Sequence, residues 1–340
     1  MKQLAIAVIL SITFLAPAAQ TNATLTAVSG FKVGHHTLTE RPTGCTVILA
    51  EAGATAGVDV RGAAPASRET DVLAPVNIVQ QIHGIVLSGG SAFGLESAAG
   101  VMRYLEEKQI GFAFGGAHVP TVPGSSLFDL PVGDARIRPG PDCGYAAARA
   151  ATSAPVEEGS VGAGAGATIG KIAGFDHAMK GGVGSAAIRM DDGLIVAALV
   201  VSNGLGDVVD PATGRILAGA RAADGRSFAD ARMLLRGGRA VFPTGENTTL
   251  GVIATNASLT KTQATRVAQM AHDGYARAIV PSHTTADGDT IYAIATNTKS
   301  GAADVGLIGS LAADVMAQAI LRSVRQATGV PGYPALRDIK

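Results

Sequence analysis

The sequence predicts an α/β fold: a sandwich of helical layers and sheet layers, the sheet mixed or antiparallel. Three observations carry this. Apolar segments of helical and of strand periodicity interleave along the chain. Two strand-like segments, 184–190 and 193–201, meet at Asp191-Asp192-Gly193, a tight-hairpin signal that an all-parallel sheet would lack. The composition suits closely stacked layers, since 47% of residues are hydrophobic and 44 are glycine, but only 4% are aromatic and none is Trp. Ala, Val, Ile and Gly let backbones approach closely. With 340 residues there is material for one large domain or two small ones.

The elements follow in order. Lys2 and the apolar run 4–15 read as an export signal; the run is too short to span a bilayer comfortably. Small residues allow cleavage after Ala18 or Ala23, so residues 1–23 are assigned as the signal peptide; a retained membrane anchor is the alternative. Residues 37–50 hold a strand, and 58–70 read as a polar, irregular segment. Gly84-Ile-Val-Leu-Ser88 is a buried strand, and Gly89–Gly94 a tight turn that opens a helix over 95–108. The Pro- and Gly-rich stretch 120–142 reads as loop, 145–154 as an Ala-rich helix, and 158–174 is dense in glycine. After the hairpin strands, Asn203–Asp207 is a turn. Residues 211–245 have the composition of a solvated loop. At Thr248 the pattern changes to a strand, 248–255. Ser258 or Thr260 caps a helix over 261–277, 290–296 is an alternating strand, and a last helix covers 302–326, closed by Gly329 and Pro331.

Charge and spacing exclude several function classes. Lys plus Arg is 27 and Asp plus Glu is 27, so the basic excess that drives phosphate-backbone binding is missing and nucleic acid is not the expected partner. A phosphate loop over 158–171 would need Gly at 165 and Ser or Thr at 172, where Ala165 and Ile172 stand. A serine elbow at Ser91 would need Gly at 93, where Phe93 stands. The seven histidines show no zinc spacing, and His35, His36 and His283 read as ordinary polar residues. Cys45 and Cys143 either form a disulfide in an exported chain or stay as two buried thiols; sequence alone does not place them.

One arrangement carries chemistry. Thr248 begins a strand directly after an Arg- and Gly-rich segment. Asp287 and Asp289, spaced i, i+2 at the mouth of the next long strand, point to one face when extended. A threonine hydroxyl is a weak nucleophile without an adjacent base. An N-terminal threonine brings its own, an α-amine that titrates near 7.7–8.0. On their own, a Thr-Thr strand start and an Asp-Gly-Asp turn are common, and the latter also resembles a calcium loop.

Five stretches, in order, make the pattern specific: Val58-Asp-Val-Arg-Gly with Arg68-Glu-Thr-Asp; Leu87-Ser-Gly-Gly-Ser-Ala-Phe-Gly-Leu; Lys180-Gly-Gly-Val-Gly-Ser; Asn203 with Gly206-Asp-Val-Val-Asp; and Asn247-Thr-Thr-Leu-Gly-Val-Ile-Ala-Thr followed by His283 and Asp287-Gly-Asp-Thr. Together they resemble the self-cleaving L-aminopeptidase/D-esterase family, which includes β-peptidyl aminopeptidases and nylon-oligomer hydrolases. The resemblance implies a four-layer α/β/β/α sandwich, like the N-terminal-nucleophile hydrolases but with different connectivity. It implies an autocatalytic cut between Asn247 and Thr248, giving an α chain of residues 24–247 and a β chain of residues 248–340, assembled as tetramers of αβ units. By position, Thr248 matches the nucleophile, Asp287 and Asp289 the acidic or hydroxyl pair beside it, Asn203 and Tyr145 the oxyanion donors, and Lys180 a lysine near the nucleophile.

The resulting expectation is a secreted or periplasmic aminopeptidase or amidohydrolase acting on short peptides, amides or esters through an acyl-enzyme. This chemistry needs no metal or organic cofactor. Many members of the family carry serine at the nucleophile, and some carry serine and glutamate at the acidic pair; Thr248 with Asp-Gly-Asp is closer to the nylon-oligomer branch. Two rival readings are a self-cleaving acyltransferase of the ornithine-acetyltransferase type and a non-catalytic secreted protein that kept the fold. Asn247-Thr-Thr also fits a glycosylation sequon.

Overall fold

A computed structural model describes residues 22–242 and 245–339; the signal segment lies almost wholly outside them. In chain order the first half contains β1 (Lys32–Thr37), β2 (Gly44–Val60), β3 (Ala66–Arg68), β4 (Ile82–Ser88), α1 (Ser97–Glu107), the hairpin β5 (Phe112–Phe114) and β6 (Ala117–Val119), β7 (Gly124–Ser126) and α2 (Pro141–Arg149). The second half contains β8 (Thr168–Ile169), β9 (Met179–Lys180), β10 (Gly182–Arg189), β11 (Ile195–Ser202), β12 (Asp207–Val209), β13 (Ile216–Ala218), α3 (Ala231–Arg236), β14 (Leu250–Thr255), α4 (Lys261–Ala278), β15 (Ile279–Val280), β16 (Thr290–Ala295) and α5 (Val305–Gln326).

The main sheet runs β10-β11-β14-β16-β2-β4-β7-β3, with β1 on β2. It folds into two layers because β2 serves both. Its first half pairs with β4 and β1, its second half with β16, and the register with β4 shifts between Leu49 and Ala54. The period-2 alternation of strands then sorts the side chains. On β11, Val196, Ala198 and Val200 face a core shared with α4 and α5, while Ala197, Leu199 and Val201 face the space between the sheet layers. On β2, Cys45, Val47 and Leu49 pack against α1 and α2, while Ile48 and Ala50 face inward. The result is helices, sheet, sheet, helices. Small residues permit the close stacking: a Cβ at Gly57 would lie 2.3 Å from the Thr265 backbone of α4, and one at Gly184 would lie 2.0 Å from the Ala319 carbonyl of α5.

Several local expectations need correction. The irregular segment starting at Val58 is strand as far as Val60, because its residues pair with β16. The Pro-rich stretch 120–142 contains β7, which pairs with β3 and β4. Helix α2 starts at Pro141, earlier than expected, because proline is well suited to a first turn whose N–H is unpaired anyway. Segment 211–245 is not solvated throughout: β13 and α3 fall in it, and Ala218, Ala220, Ala231 and Leu234 are buried. Thr260, not Ser258, caps α4, in a reciprocal box with Gln263. Helix α5 is long and apolar enough to span a bilayer; here it packs on α4, β10 and β11. Cys45 and Cys143 form a disulfide, with Cα atoms 6.0 Å apart, joining β2 to α2.

Candidate active site

Two adjacent strands bring the site together. β14 and β16 pair in parallel with Leu250 opposite Thr290, so the residues just ahead of them, Thr248 and Gly288, arrive side by side. Asn247 and Asp287 make an isolated parallel bridge one step earlier. The Thr248 N–H donates to the Asn203 carbonyl (3.1 Å), and the Gly288 N–H donates to the Asn247 carbonyl (3.1 Å). The Thr248 hydroxyl donates to that same Asn247 carbonyl oxygen. A Cβ at position 288 would lie 2.7 Å from the Thr248 Oγ, so the glycine between the two aspartates leaves the space the hydroxyl occupies.

The two carboxylates hold different parts of this frame. Asp289 Oδ1 accepts the Thr249 N–H (2.8 Å); its Oδ2 accepts the backbone N–H and the ring Nδ1–H of His283 (2.9 Å each). Asp287 Oδ1 accepts the Leu205 N–H (3.3 Å), and its Oδ2 accepts the N–H (3.1 Å) and hydroxyl (2.6 Å) of Thr284. Burial, and secondarily the charge of Asp289, pushes the Asp287 carboxyl up to about 6.

Two buried lysines border the site, and their surroundings differ. Lys180 donates to three carbonyls, those of Gly164 (2.8 Å), Ala167 (2.8 Å) and Gly181 (3.1 Å). Three acceptors match the three donors of an ammonium. Among the described residues Lys171 donates to two, Thr168 (3.0 Å) and Asn203 (2.8 Å). Two acceptors match the two N–H donors of a neutral amine. Burial lowers both lysines to about 7; the carboxylates of Asp287, Asp129, Glu246 and Asp289 resist this at Lys171, and Asp129 resists it at Lys180. Lys171 shares the Asn203 carbonyl with the Thr248 N–H, whereas Lys180 makes no hydrogen bond to Thr248, Asn203 or either aspartate.

The structure therefore brings Thr248, Asn247, Asn203, Asp287 and Asp289 together and sets Lys180 one layer back. Tyr145 is not among them. Helix α2 turns it outward, where its hydroxyl donates to Glu107 (2.8 Å) and its ring lies under Arg103. The Asn203 side chain is also committed, its Oδ1 to the Thr168 N–H (2.9 Å) and its Nδ2 to the Phe128 carbonyl (3.2 Å). The donor seated on the Asn247 carbonyl is the Gly288 backbone, which a reading of side chains misses. Lys171, which borders this cluster, carries one sequence signal: a lysine inside a Gly- and Ala-rich apolar stretch. A cavity of about 970 Å³ lined by Val79, Gln81, His83, Phe112, Phe114 and Val119 among others contains none of the site residues.

A model of peptidase family S58 matches residues 23–336. An uncharacterized aminopeptidase of Mycobacterium tuberculosis is 41% identical over 343 residues, covering 93% of this chain and 97% of that protein. A 6-aminohexanoate-oligomer endohydrolase of Kocuria sp. is 30% identical over 311 residues, covering 87% and 84%. Among solved structures, a Burkholderia sp. beta-aminopeptidase aligns with a TM-score of 0.66 at 24% identity, over 92% of this chain and 89% of that one. An l-aminopeptidase d-ala-esterase/amidase from Ochrobactrum anthropi, described as a variant of the Ntn hydrolase fold, aligns with a TM-score of 0.67 at 19% identity, over 95% and 92%.

Proposed function

The chain belongs to peptidase family S58 and is a hydrolase of aminopeptidase or amidohydrolase type; on that premise we propose that it activates itself by cutting the Asn247–Thr248 bond and then uses Thr248 as its nucleophile. One observation carries the reading: the Thr248 hydroxyl rests on the carbonyl oxygen of the bond it would attack, and a backbone N–H already holds that oxygen.

In the precursor, the Thr248 nitrogen is an amide and cannot serve as base. Lys171 takes that part: its amine, lowered to about 7 and held on the same Asn203 carbonyl as the Thr248 N–H, accepts the hydroxyl proton through an intervening water as Oγ attacks the Asn247 carbonyl carbon. Negative charge gathers on the Asn247 oxygen, where the Gly288 N–H meets it; such a donor is worth roughly 3 kcal/mol, about a hundredfold in rate. The C–N bond breaks, Lys171 returns the proton to the departing Thr248 nitrogen, and water hydrolyses the ester. The product has an Asn247 carboxylate and a free α-amine at Thr248, still within reach of the Asn203 carbonyl. In turnover that amine takes the hydroxyl proton, Oγ attacks a substrate amide or ester, and water releases the acyl group. Short peptides and amino-acid amides or esters suit such a site, and the buried carboxylates complement a substrate ammonium. The aminopeptidase and oligomer-hydrolase names of the relatives support this substrate range. Export by the signal segment and assembly of several αβ units belong to the same proposal.

The test is electrophoresis under denaturing conditions together with amide hydrolysis. Wild type runs as two fragments divided at 247/248, and Thr248→Ala as one intact, inactive chain. An intact wild-type chain that hydrolyses amides at full rate refutes the nucleophile assignment.

A further inference from the structure

We infer that His283 is a positioning residue for the nucleophile, acting through Asp289 on the peptide that follows Thr248; this rests on Thr248 being the nucleophile. Two peptide planes flank a residue and fix where its side chain points. On the N-terminal side of Thr248 the cut removes the peptide plane; the amine left behind can still reach the Asn203 carbonyl, but it turns about its Cα–N bond and no longer fixes the side chain. What remains is the Thr248–Thr249 peptide, whose N–H is held by Asp289 Oδ1 at 2.8 Å. The mature site therefore depends on Asp289 staying still.

His283 is what holds it. Its backbone N–H and ring Nδ1 both reach the other oxygen, Oδ2, at 2.9 Å. The His283 backbone that presents both donors sits at φ +56°, the left-handed region that non-glycine residues seldom occupy. The ring is wedged against two residues of α4, with centroids 4.7 Å from His272 and 5.7 Å from Tyr275. His272 in turn sits on the Asp59 carbonyl of β2 through Nε2 at 3.1 Å. A carboxylate accepts only, so Nδ1 of His283 carries the proton; its Nε2 is buried with no hydrogen-bond partner among the described residues. Among the described residues the ring thus makes a single polar contact, and that contact is with Asp289.

The geometry separates a positioning role from packing. Asparagine carries its Nδ2 donor one bond from Cγ, as histidine carries Nδ1, and it tolerates the left-handed region. Glutamine carries its donor one atom further out, and alanine has none. All three lose the ring. Each variant is purified after self-cleavage and assayed on an amino-acid p-nitroanilide, with thermal unfolding measured alongside and Thr248→Ala as reference. We expect His283→Ala and His283→Gln to lower kcat by about ten- to a hundredfold with KM within about threefold, the range for a nucleophile displaced by a fraction of an ångström to 1 Å. His283→Asn returns to within about threefold of wild type, although it unfolds at the lower temperature of the other two. Wild-type kcat in His283→Ala, or His283→Asn as impaired as His283→Gln, overturns the inference. Activity persisting in Thr248→Ala fails the nucleophile reading instead, so the two failures are distinguishable.

Discussion

Replacing Gly288 by alanine is the sharpest test of where the nucleophile sits. The new Cβ would lie 2.7 Å from the Thr248 Oγ, 2.5 Å from the Ala64 carbonyl oxygen and 3.0 Å from the Pro65 Cα. Ordinary contact is about 3.5 Å, so Oγ must retreat by about 0.8 Å, and Ala64 and Pro65 stop the methyl from moving the other way. Displacement on the scale of 1 Å costs about a hundredfold in rate, or about 2.7 kcal/mol of activation free energy. The overpacking itself removes about 1–3 kcal/mol of stability. The assay is a time course of the 247/248 cut on denaturing gels, with thermal unfolding in parallel. Gly140→Ala is the control, because nothing lies within 4 Å of the Cβ it would add. We expect Gly288→Ala to process about a hundredfold more slowly and Gly140→Ala at the wild-type rate. A Gly288→Ala chain that matches wild type in cutting and in stability would mean that Oγ does not rest against residue 288, and the proposed attack geometry would fall with it.

The two lysines separate by pH and by rate. Self-cleavage in wild type is expected to rise as pH passes through about 7, where Lys171 sheds its proton; Lys180→Met keeps that rise and Lys171→Met loses it, with at least a hundredfold slower cutting. Stability follows the same two groups. The unfolded chain holds each lysine proton up to about 10.5, while the folded chain releases it near 7, so stability rises with pH between those values, and chemical denaturation of Lys180→Met should show only part of the rise. Reduction of the Cys45–Cys143 bond, which closes a sequence separation of 98, is expected to remove about 2–5 kcal/mol, seen as a lower denaturation midpoint in the presence of a reductant; an unchanged midpoint refutes the structural role.

Much of this site was legible because it is written locally. Apolar runs over 193–201 and 248–255 and the alternating 290–296 mark the central strands, and the five ordered stretches together point to Asn203, Thr248, Asp287 and Asp289. What escaped depends on three dimensions. Lys171 and Lys180 sit in similar glycine-rich surroundings, and only the number of carbonyls around each amine tells them apart. Tyr145 faces Glu107 and not Thr248 because α2 begins at Pro141, which sets the direction its side chain takes. The Gly288 N–H has no side-chain signature, and β7 lies hidden among prolines and glycines because three residues are too few to show a period.

The order of strands decides what the proposed cut at 247/248 would leave behind. β14 and β16 both belong to residues 248–340, and they are inserted as a pair between β11 and β2, which belong to the other fragment; a ladder of six residue pairs closes each flank. The smaller fragment is thus a wedge driven into the middle of its partner's sheet. Pulling it out would tear both ladders and strip α4 and α5 from their cores. The proposed cut would therefore leave two polypeptides in one body, expected to co-purify through dilution and to come apart only on denaturation.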